Sequence, residues 1–457
     1  MSRDVDVNGL FYLGDGTGEA RVQDGKSDAR PDRASGRVTV TVLGGRHGAL
    51  PDIRDAWERC LRRAPDHQQL FSFEYFDAWL RYEAKGGRWS GETRVLLAHD
   101  CDGELVGILP LACKRYGVFR LWMLAGPYEP LRGFVCHPRV SAEVTEAFAR
   151  KLVSMHVWLQ ALRLGPVDTS FPEVAMLMHH IARRTGRLAS FVTPAAVYAA
   201  NLPTTVAQFQ ERVRTSRNLS RIASRQRRLE REGTMRIERY ANPTGERLGR
   251  ILEECQLVES RSWLASAADG RLRFGTDAQL RFWRHLCDRD APSRRDVDFW
   301  VAYIGDKPVA FDVVITLGTV RYLYAGQYDK EHAKCGLGWM LYMAYTQEGI
   351  ERGVRTIDMG TGSVEYKQQA GGAVFDVRRD ACLLPGGVLG TAAARVLSSD
   401  RWRRLLGRIR KRRKTGLAGL LAALVNPQTE MVVVNASDGV VATPVLFAML
   451  QALVAVA

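Results

Sequence analysis

A short motif occurs twice in the chain, as AGPYE at residues 125–129 and as AGQYD at residues 325–329. Each copy has Ala-Gly, one variable residue, Tyr and an acid. Similar patterns precede both copies: an apolar strand, a polar turn with Gly103 or Gly305, a second apolar strand, a glycine, and a third strand rich in aromatic residues. Glycine at such turns allows the positive φ that a hairpin needs.

The sequences that follow the two copies also match. A helical pattern comes next, at 142–158 and at 338–352, and it leads into LRLG at 162–165 or TIDMG at 356–360. We interpret this order as an internal duplication of one α/β module, which would determine the whole architecture. The alternative is coincidence, because the same order of elements is common in unrelated α/β proteins.

Length and composition are those of a globular protein with room for two domains. The chain has 457 residues, of which 46% are hydrophobic and 25% charged. A leader without periodicity and the PGG at 385–387 suggest boundaries. The predicted division is a disordered leader at 1–36, a first module at 37–202, a second at 203–385 and a tail at 386–457.

The net charge of +15 is concentrated in two segments. Residues 211–232 hold eight Arg and three Glu, and residues 401–414 hold nine Lys or Arg and no acid, so together they carry +14. The remainder is nearly neutral, which argues against a general nucleic-acid binder.

The cysteines and histidines do not indicate a metal site. The eight cysteines form no CxxC pair and the nine histidines do not cluster with them. No apolar signal segment opens the chain, so a reducing cytoplasm is the expected location.

The tail raises two membrane questions. Residues 399–424 suggest a basic helix with a narrow apolar stripe, which fits either an anionic membrane surface at the inner face or packing on the body of the protein. Residues 439–457 are uncharged but borderline in length for a span, and they contain Pro444. We favour a packed terminal helix, or a tail of uncertain reading frame, over a membrane anchor.

The second copy is followed by KEHAKCGLGWM at 330–340, a basic turn with two glycines before a helix. The first turn of a helix has unpaired backbone N–H groups and a positive dipole end, and glycine lets an anion approach them. A phosphate or diphosphate is the expected occupant, although a GxG also serves as a plain tight turn. The candidate cofactor-binding residues are Lys334, Cys335, Gly336, Leu337, Gly338 and Trp339.

This stretch resembles the signature of the Gcn5-related N-acetyltransferases (GNAT), with Ala333 where Gln or Arg is usual. The resemblance implies acetyl-CoA or another acyl-CoA as co-substrate, with no metal, lying between parting strands at 319–326 and 354–360. It also implies the fold class: an α/β protein of two tandem GNAT-like modules, each a mixed, mainly antiparallel sheet flanked by helices.

A narrower resemblance covers roughly residues 70–384. FSFEYFDAWL at 71–80, the Arg-rich stretch at 216–233, ESRSWLASAADG at 259–270 and DMGTGSVEYKQQAG at 358–371 are similar to segments of CelD-type proteins of cellulose and exopolysaccharide biosynthesis. Leu264 stands where these proteins usually have Lys. They are related in fold to the Fem-type peptidyl transferases, which also pair two modules. By this resemblance the first copy, with LRGFVCHP and no GxG, is a degenerate half.

Acyl transfer requires a neutral nucleophile, a stabilised thioester oxygen and a proton for the leaving thiolate. Tyr366 is the candidate acid, because GNAT proteins often have a Tyr near the CoA sulfur after the last core strand. Lys367 is a candidate for binding phosphate or acceptor. Asp358 is a candidate base acting through water, or a cap of the following loop. The alternative for Tyr366 is a side chain whose hydroxyl faces solvent, and the alternative for Lys367 is a solvated surface lysine.

The candidate acceptor-binding residues are Trp263, Gln327, Tyr328, Arg217 and Arg221. Trp263 fits either the wall of an acceptor cleft or the core. The two arginines lie on a helix face that can meet an anionic acceptor, or that is simply solvated.

Three functions remain open. The leading one is an acyl-CoA-dependent N- or O-acyltransferase acting on a small-molecule or glycan-precursor acceptor. The second is a Fem-type transferase that uses aminoacyl-tRNA. It is the only one of the three functions that involves a nucleic-acid partner. The third is a non-catalytic accessory protein of a polysaccharide synthase.

Overall fold

A computed structural model describes the fold of most of the chain. It covers residues 38–46, 53–65, 68–83, 89–116, 119–126, 133–155, 161–167, 172–186, 188–215, 229, 231, 233–266, 272–289, 295–360, 367, 373–384 and 430–433. The predicted leader, nearly all of the tail, and Arg217, Arg221 and Tyr366 lie outside these residues.

The predicted fold class is confirmed: the protein is α/β, and each half contributes a mixed, mainly antiparallel set of strands, flanked by helices, to one continuous sheet. The strands are β1 Thr39–Arg46, β2 Trp89–His99, β3 Leu105–Tyr116, β4 Phe119–Leu124, β5 Val135–Cys136, β6 Ala161–Val167, β7 Leu188–Asn201, β8 Met235–Ala241, β9 Asp296–Ile304, β10 Lys307–Leu317, β11 Val320–Tyr328, β12 Thr356–Asp358, β13 Ala373–Leu384 and β14 Glu430–Val433. The helices are α1 Arg54–Arg62, α2 Phe73–Ala78, α3 Ser141–Ser154, α4 Pro172–Thr185, α5 Val206–Thr215, α6 Gly245–Arg261, α7 Asp277–Arg289 and α8 Leu337–Glu351.

The duplication appears as the same path of strands in both halves. β2, β3 and β4 form an antiparallel meander, as do β9, β10 and β11. Gly103 and Gly305 turn the first hairpin of each with φ of 78° and 58°. A helix, α3 or α8, then crosses to a strand that pairs in parallel, β6 with β4 and β12 with β11.

The two halves exchange their last strands. β7 follows β6 in the chain but pairs with β12 of the second half, whereas β13 follows β12 but pairs with β6 of the first. β7 and β13 pair with each other, so hydrogen bonds connect the strands in the order β1-β2-β3-β4-β6-β13-β7-β12-β11-β10-β9-β8. The sequence patterns did not predict this exchange, and the division at residues 202 and 203 stays a prediction.

One aromatic core is shared by both halves. Trp57 and Phe76 of the first half stack at 5.6 Å, and Phe274 and Trp283 of the second stack at 5.5 Å, within the same buried cluster. Across the junction the rings of Tyr75 and Phe282 meet at 6.2 Å. Trp57, Phe76, Trp79 and Leu80 are all buried.

A buried ionic cluster also joins the halves. His285 Nε2 of α7 lies 2.9 Å from Glu74 Oε2 and 3.3 Å from Asp77 Oδ2 of α2. These three side chains have the geometry to hold a metal ion, but Arg54 and Arg81 already pair with the two carboxylates at 2.7 and 2.6 Å. We therefore interpret the cluster as an ion-pair contact between the halves.

The cluster makes stability depend on pH. Burial opposes the charged imidazole, yet the hydrogen bonds and charges of Asp77 and Glu74 raise the pKa of His285 above its ordinary value. A raised pKa contributes stability below about pH 6.5 that is lost as pH rises through the folded-state pKa. We expect His285→Gln to lower the free energy of unfolding by about 1–3 kcal/mol at pH 5.5 and by less at pH 8.5. Urea denaturation at both pH values measures the difference, and an equal loss at both would contradict it.

No helix within the described part of the chain combines the length and the apolar character that crossing a membrane requires. The sequence suggested membrane contact as one alternative for residues 399–424 and 439–457. Both segments lie outside the described residues.

Candidate functional site

A gap opens in the sheet between β11 and β12. The two strands pair in parallel at three positions only, Val320 with Thr356, Arg321 with Ile357 and Tyr322 with Asp358. β12 ends there, while β11 continues to Tyr328. The segment 323–328 therefore has no partner from β12, which confirms the predicted parting of these strands.

A β-bulge in β11 coincides with the start of the gap. Val313 pairs with Ala325 and Val314 pairs with Leu323, so Tyr324 is the extra residue. Its ring packs in the core, 5.2 Å from that of Trp283. A bulge bends its strand and increases the local twist, so this one favours the divergence of β11 from β12.

The connection after β11 leads directly into α8. Asp329 caps a 3-10 turn at Lys330–His332 by accepting the N–H of Glu331, and its other oxygen lies 3.5 Å from Lys307 Nζ. Gly336 then takes the left-handed conformation, with φ of 74°, which glycine adopts at little cost. α8 begins at the next residue, as the sequence predicted to within one position.

The first turn of α8 has N–H donors that the helix itself does not pair. The carbonyl of Gly336 accepts the N–H groups of Trp339 and Met340, but no side chain caps the helix. In the described structure, the N–H groups of Leu337 and Gly338 have no acceptor. A Cβ at Gly338 would meet no atom within 4 Å.

The electrostatics of this turn suit an anion. The first turn of α8 contains no acidic residue, and Lys334 is exposed beside it. Free N–H groups, a positive dipole end and a nearby lysine together favour a phosphate group. Cys335 and Leu337 are buried and support the turn from below, whereas Trp339 is half-buried.

The corresponding helix in the first half lacks these features. α3 begins after a 3-10 turn at Pro138–Val140, and its first turn carries Glu143. A carboxylate at a helix N-terminus satisfies the dipole and repels an anion. This fits the interpretation of the first copy as a degenerate half.

Two polar atoms near the gap are buried without a hydrogen-bond partner among the described residues. They are Gln327 Oε1, at the free end of β11, and Trp339 Nε1, in the first turn of α8. Buried polar groups are nearly always paired, so one acceptor and one donor here suit a ligand that offers both functions. Tyr328, predicted with Gln327 to bind substrate, is half-buried on the same segment.

Asp358 and Lys367 shape the turn that follows β12. Asp358 Oδ1 accepts the N–H of Gly360 at 2.6 Å, and Gly360 has φ of 63°. Lys367 is buried and its Nζ donates to the carbonyl of Gly360 at 2.8 Å, while lying 6.0 Å from the ring of Tyr198. Both side chains therefore hydrogen-bond Gly360, in the turn that follows β12.

The predicted acceptor-binding Trp263 lies on the surface, 53% exposed, in a 3-10 turn at Trp263–Ser266 after α6. It is not a core residue. The nearby Glu259 is buried and accepts the N–H groups of Arg273 and Phe274 at 2.8 and 2.7 Å, so it holds the next described loop against α6.

The sequence model of one family, described as an acetyltransferase (GNAT) domain, matches residues 216–368. This match spans β8 to β12, the gap and the start of α8. Residues 216–368 contain a GNAT acetyltransferase domain. The chain is accordingly a transferase, and the GNAT fold in general implies an acyl-CoA co-substrate.

Of three solved structures similar to the chain, two are described as GNAT or GCN5-related proteins. L-PGS from Bacillus licheniformis is 14% identical, covering 79% of this chain and 98% of its own, with a TM-score of 0.44. A tandem GNAT protein from the clavulanic acid biosynthesis pathway is 11% identical, covering 76% and 99%, with a TM-score of 0.42. A GCN5-related N-acetyltransferase from Sphaerobacter thermophilus is 14% identical, covering 76% and 98%, with a TM-score of 0.29. No curated protein sequence matches the chain.

One residue beside the gap was missed at the level of sequence. Asp312 is a lone acid within the apolar run PVAFDVVITL of β10, and it is 7% exposed. The sequence did contain a signal for it, namely one acid within an otherwise apolar strand. Burying a carboxyl without a partner costs free energy, so such a residue suggests a functional role.

Proposed function

We propose that the protein transfers an acyl group from acyl-CoA to an amine or hydroxyl of an envelope or exopolysaccharide precursor. The observation that carries this proposal is the pair of N–H groups at Leu337 and Gly338, which have no acceptor among the described residues at a helix start where a Cβ on Gly338 would meet no atom within 4 Å. A diphosphate fits this cradle, and an extended arm fits the gap.

The proposal assigns binding residues to the diphosphate and to polar groups of the cofactor. The backbone of residues 336–339 would bind the diphosphate, with Lys334 adding charge. Gln327 and Trp339 would supply an acceptor and a donor to the ligand. Bound acyl-CoA supplies a thioester carbonyl and a thiolate leaving group.

The acyl-transfer reaction requires proton transfers, and the proposal assigns residues to them. The nucleophile of the acceptor loses a proton and bonds to the acyl carbon as the carbon–sulfur bond breaks. Tyr366 would return a proton to the sulfur, since a phenol with a pKa of about 10 can protonate a thiolate. Asp358 and Lys367 would hold the loop before Tyr366 in place, and Asp358 also stays a candidate base acting through water.

The acceptor site is proposed from the sequence and one surface feature. Trp263 exposes its ring, which is suited to pack on a sugar or another flat group. Arg217 and Arg221 would meet an anionic group of the acceptor. We propose a cytoplasmic protein whose basic segment 399–424 contacts the inner membrane face, where lipid-linked precursors are found.

A thermal-shift and transfer experiment tests the proposal. At a ligand concentration of 100 times the Kd, acetyl-CoA should stabilise the protein by about 2.7 kcal/mol, seen as a rise in Tm. Release of free thiol in the presence of an amino sugar or glycan precursor should then show transfer. Salt-sensitive binding of aminoacyl-tRNA without binding of acyl-CoA would favour the Fem-type alternative. No response to either ligand, with co-purification of a synthase, would favour the accessory role.

A further inference from the structure

Asp312 is a buried acid that has no partner among the described residues and lies in an apolar part of the fold. Its neighbours on the same face of β10, Ala310 and Val314, belong to the cluster that packs under α8, together with Met340 and Tyr345. Asp312 therefore faces the α8 side of the sheet. In the described structure its carboxyl makes no hydrogen bond or ion pair.

Gly326 determines where this carboxyl lies. Asp312 pairs across the sheet with Gly326 of β11, and a Cβ on Gly326 would collide with Asp312 Oδ1. The absence of a side chain at 326 thus lets the carboxyl lie over the backbone of β11. Gly326 does not need a left-handed conformation, so close approach is the reason for glycine at this position.

The carboxyl lies at the edge of the gap. Gly326 belongs to the segment 323–328, and β12 has ended before this level of the sheet. β12 therefore does not cover β11 at Gly326, and the Asp312 carboxyl lies against this uncovered segment on the α8 face of the sheet. On the other side of β10, the paired residue Trp300 has a buried Nε1 that also lacks a partner among the described residues.

We propose that Asp312 hydrogen-bonds the amide-containing arm of acyl-CoA, reaching it from β10 across Gly326. This inference rests on the proposed function and adds a residue to its binding site. The arm carries amide N–H and carbonyl groups, and a carboxyl can pair with both. Burial raises the pKa of Asp312 well above its ordinary value, which favours the neutral acid, a form that can both donate and accept.

Two variants and two probes test this contact by calorimetry on the full chain. The probes are CoA, which has the arm, and adenosine 3′-phosphate 5′-diphosphate, which has the diphosphate without the arm. Asp312→Leu should weaken binding of CoA about tenfold, and Asp312→Asn, which keeps a donor and an acceptor, by less than about threefold. Neither variant should change the affinity for the nucleotide.

Gly326→Ala and Val314→Ala serve as a second test and a control. The methyl group at 326 should displace the carboxyl and weaken CoA binding as Asp312→Leu does, although Asp312 is still present. Val314→Ala makes a cavity on the same face of β10 and should leave the affinity for CoA unchanged.

The outcomes separate this inference from the proposed function. If the wild-type protein binds CoA and Asp312→Leu binds it equally well, the inference is overturned and the carboxyl instead pairs with a buried water shared with Trp300. If the wild-type protein binds neither probe, the proposed function fails and the inference fails with it.

Discussion

Replacing Gly338 by Trp should abolish the stabilisation of the protein by acetyl-CoA. The residue lies in the first turn of α8, where an added side chain would point into open space rather than into the core. An indole there would fill the volume that a diphosphate needs and shield the N–H groups of residues 337 and 338. At 100 times the wild-type Kd, the gain of about 2.7 kcal/mol expected for the wild type should disappear. Differential scanning fluorimetry with and without acetyl-CoA measures the change.

The fold itself should tolerate this substitution. Gly338 lies within a helix and its φ is not left-handed, and replacing a helical glycine generally costs nothing or stabilises by up to about 1 kcal/mol. Gly44→Trp is a matched control, because a Cβ at Gly44 on β1 would also meet no atom within 4 Å, and β1 lies far along the sheet from the gap. An undiminished shift in Gly338→Trp would show that the ligand does not bind at the start of α8.

Replacing Arg321 by Met should cause the largest loss of stability. Arg321 is fully buried in β11, where it donates to Thr316 Oγ1 at 2.9 Å and to the carbonyl of Tyr345, and it pairs with Glu348 at 2.8 Å. Methionine would leave the carboxylate of Glu348 with less compensation and the carbonyl of α8 without its donor. Breaking a buried ion pair costs about 3–5 kcal/mol. The free energy of unfolding from urea denaturation measures the effect.

An exposed ion pair provides the comparison for Arg321. Arg63 pairs with Glu104 at 2.9 Å, but both side chains are 48% exposed, so Arg63→Met should change the free energy of unfolding by less than about 0.5 kcal/mol. A loss below about 1 kcal/mol in Arg321→Met would mean that α8 is held to the sheet by apolar packing alone. A larger residue at Gly349 should also destabilise the protein. Its Cβ would lie 3.0 Å from Arg321 Nη1 and would disturb the contacts of that guanidinium.

The local elements of the second half followed from the sequence. The apolar runs and the glycines at 305 and 318 predicted the meander of β9, β10 and β11, and the two glycines of KCGLG predicted the helix that begins at Leu337. These features depend on contacts within a few residues, where side-chain periodicity and backbone preferences are sufficient.

Other roles needed the three-dimensional arrangement. Asp358 and Lys367 both hydrogen-bond Gly360, so Asp358 meets the loop-capping alternative that the sequence left open, whereas the burial of Lys367 contradicts its surface alternative. Trp263 fitted either a cleft or the core, and its 53% exposure excludes the core. His285 meets Glu74 across 211 positions of the chain, a separation at which no local pattern carries information.

By itself the sequence determined a duplicated α/β module and a glycine-flanked helix start, and it predicts an anion at that helix start. Tertiary structure alone decided that β7 and β13 exchange between the halves, that a bulge at Tyr324 accompanies the opening of the gap, and that Asp312 reaches across Gly326 to its edge. The physical reason is that a helix start is specified by neighbouring residues. Which strands pair, and where two of them part, depends on the packing of residues far apart in the chain.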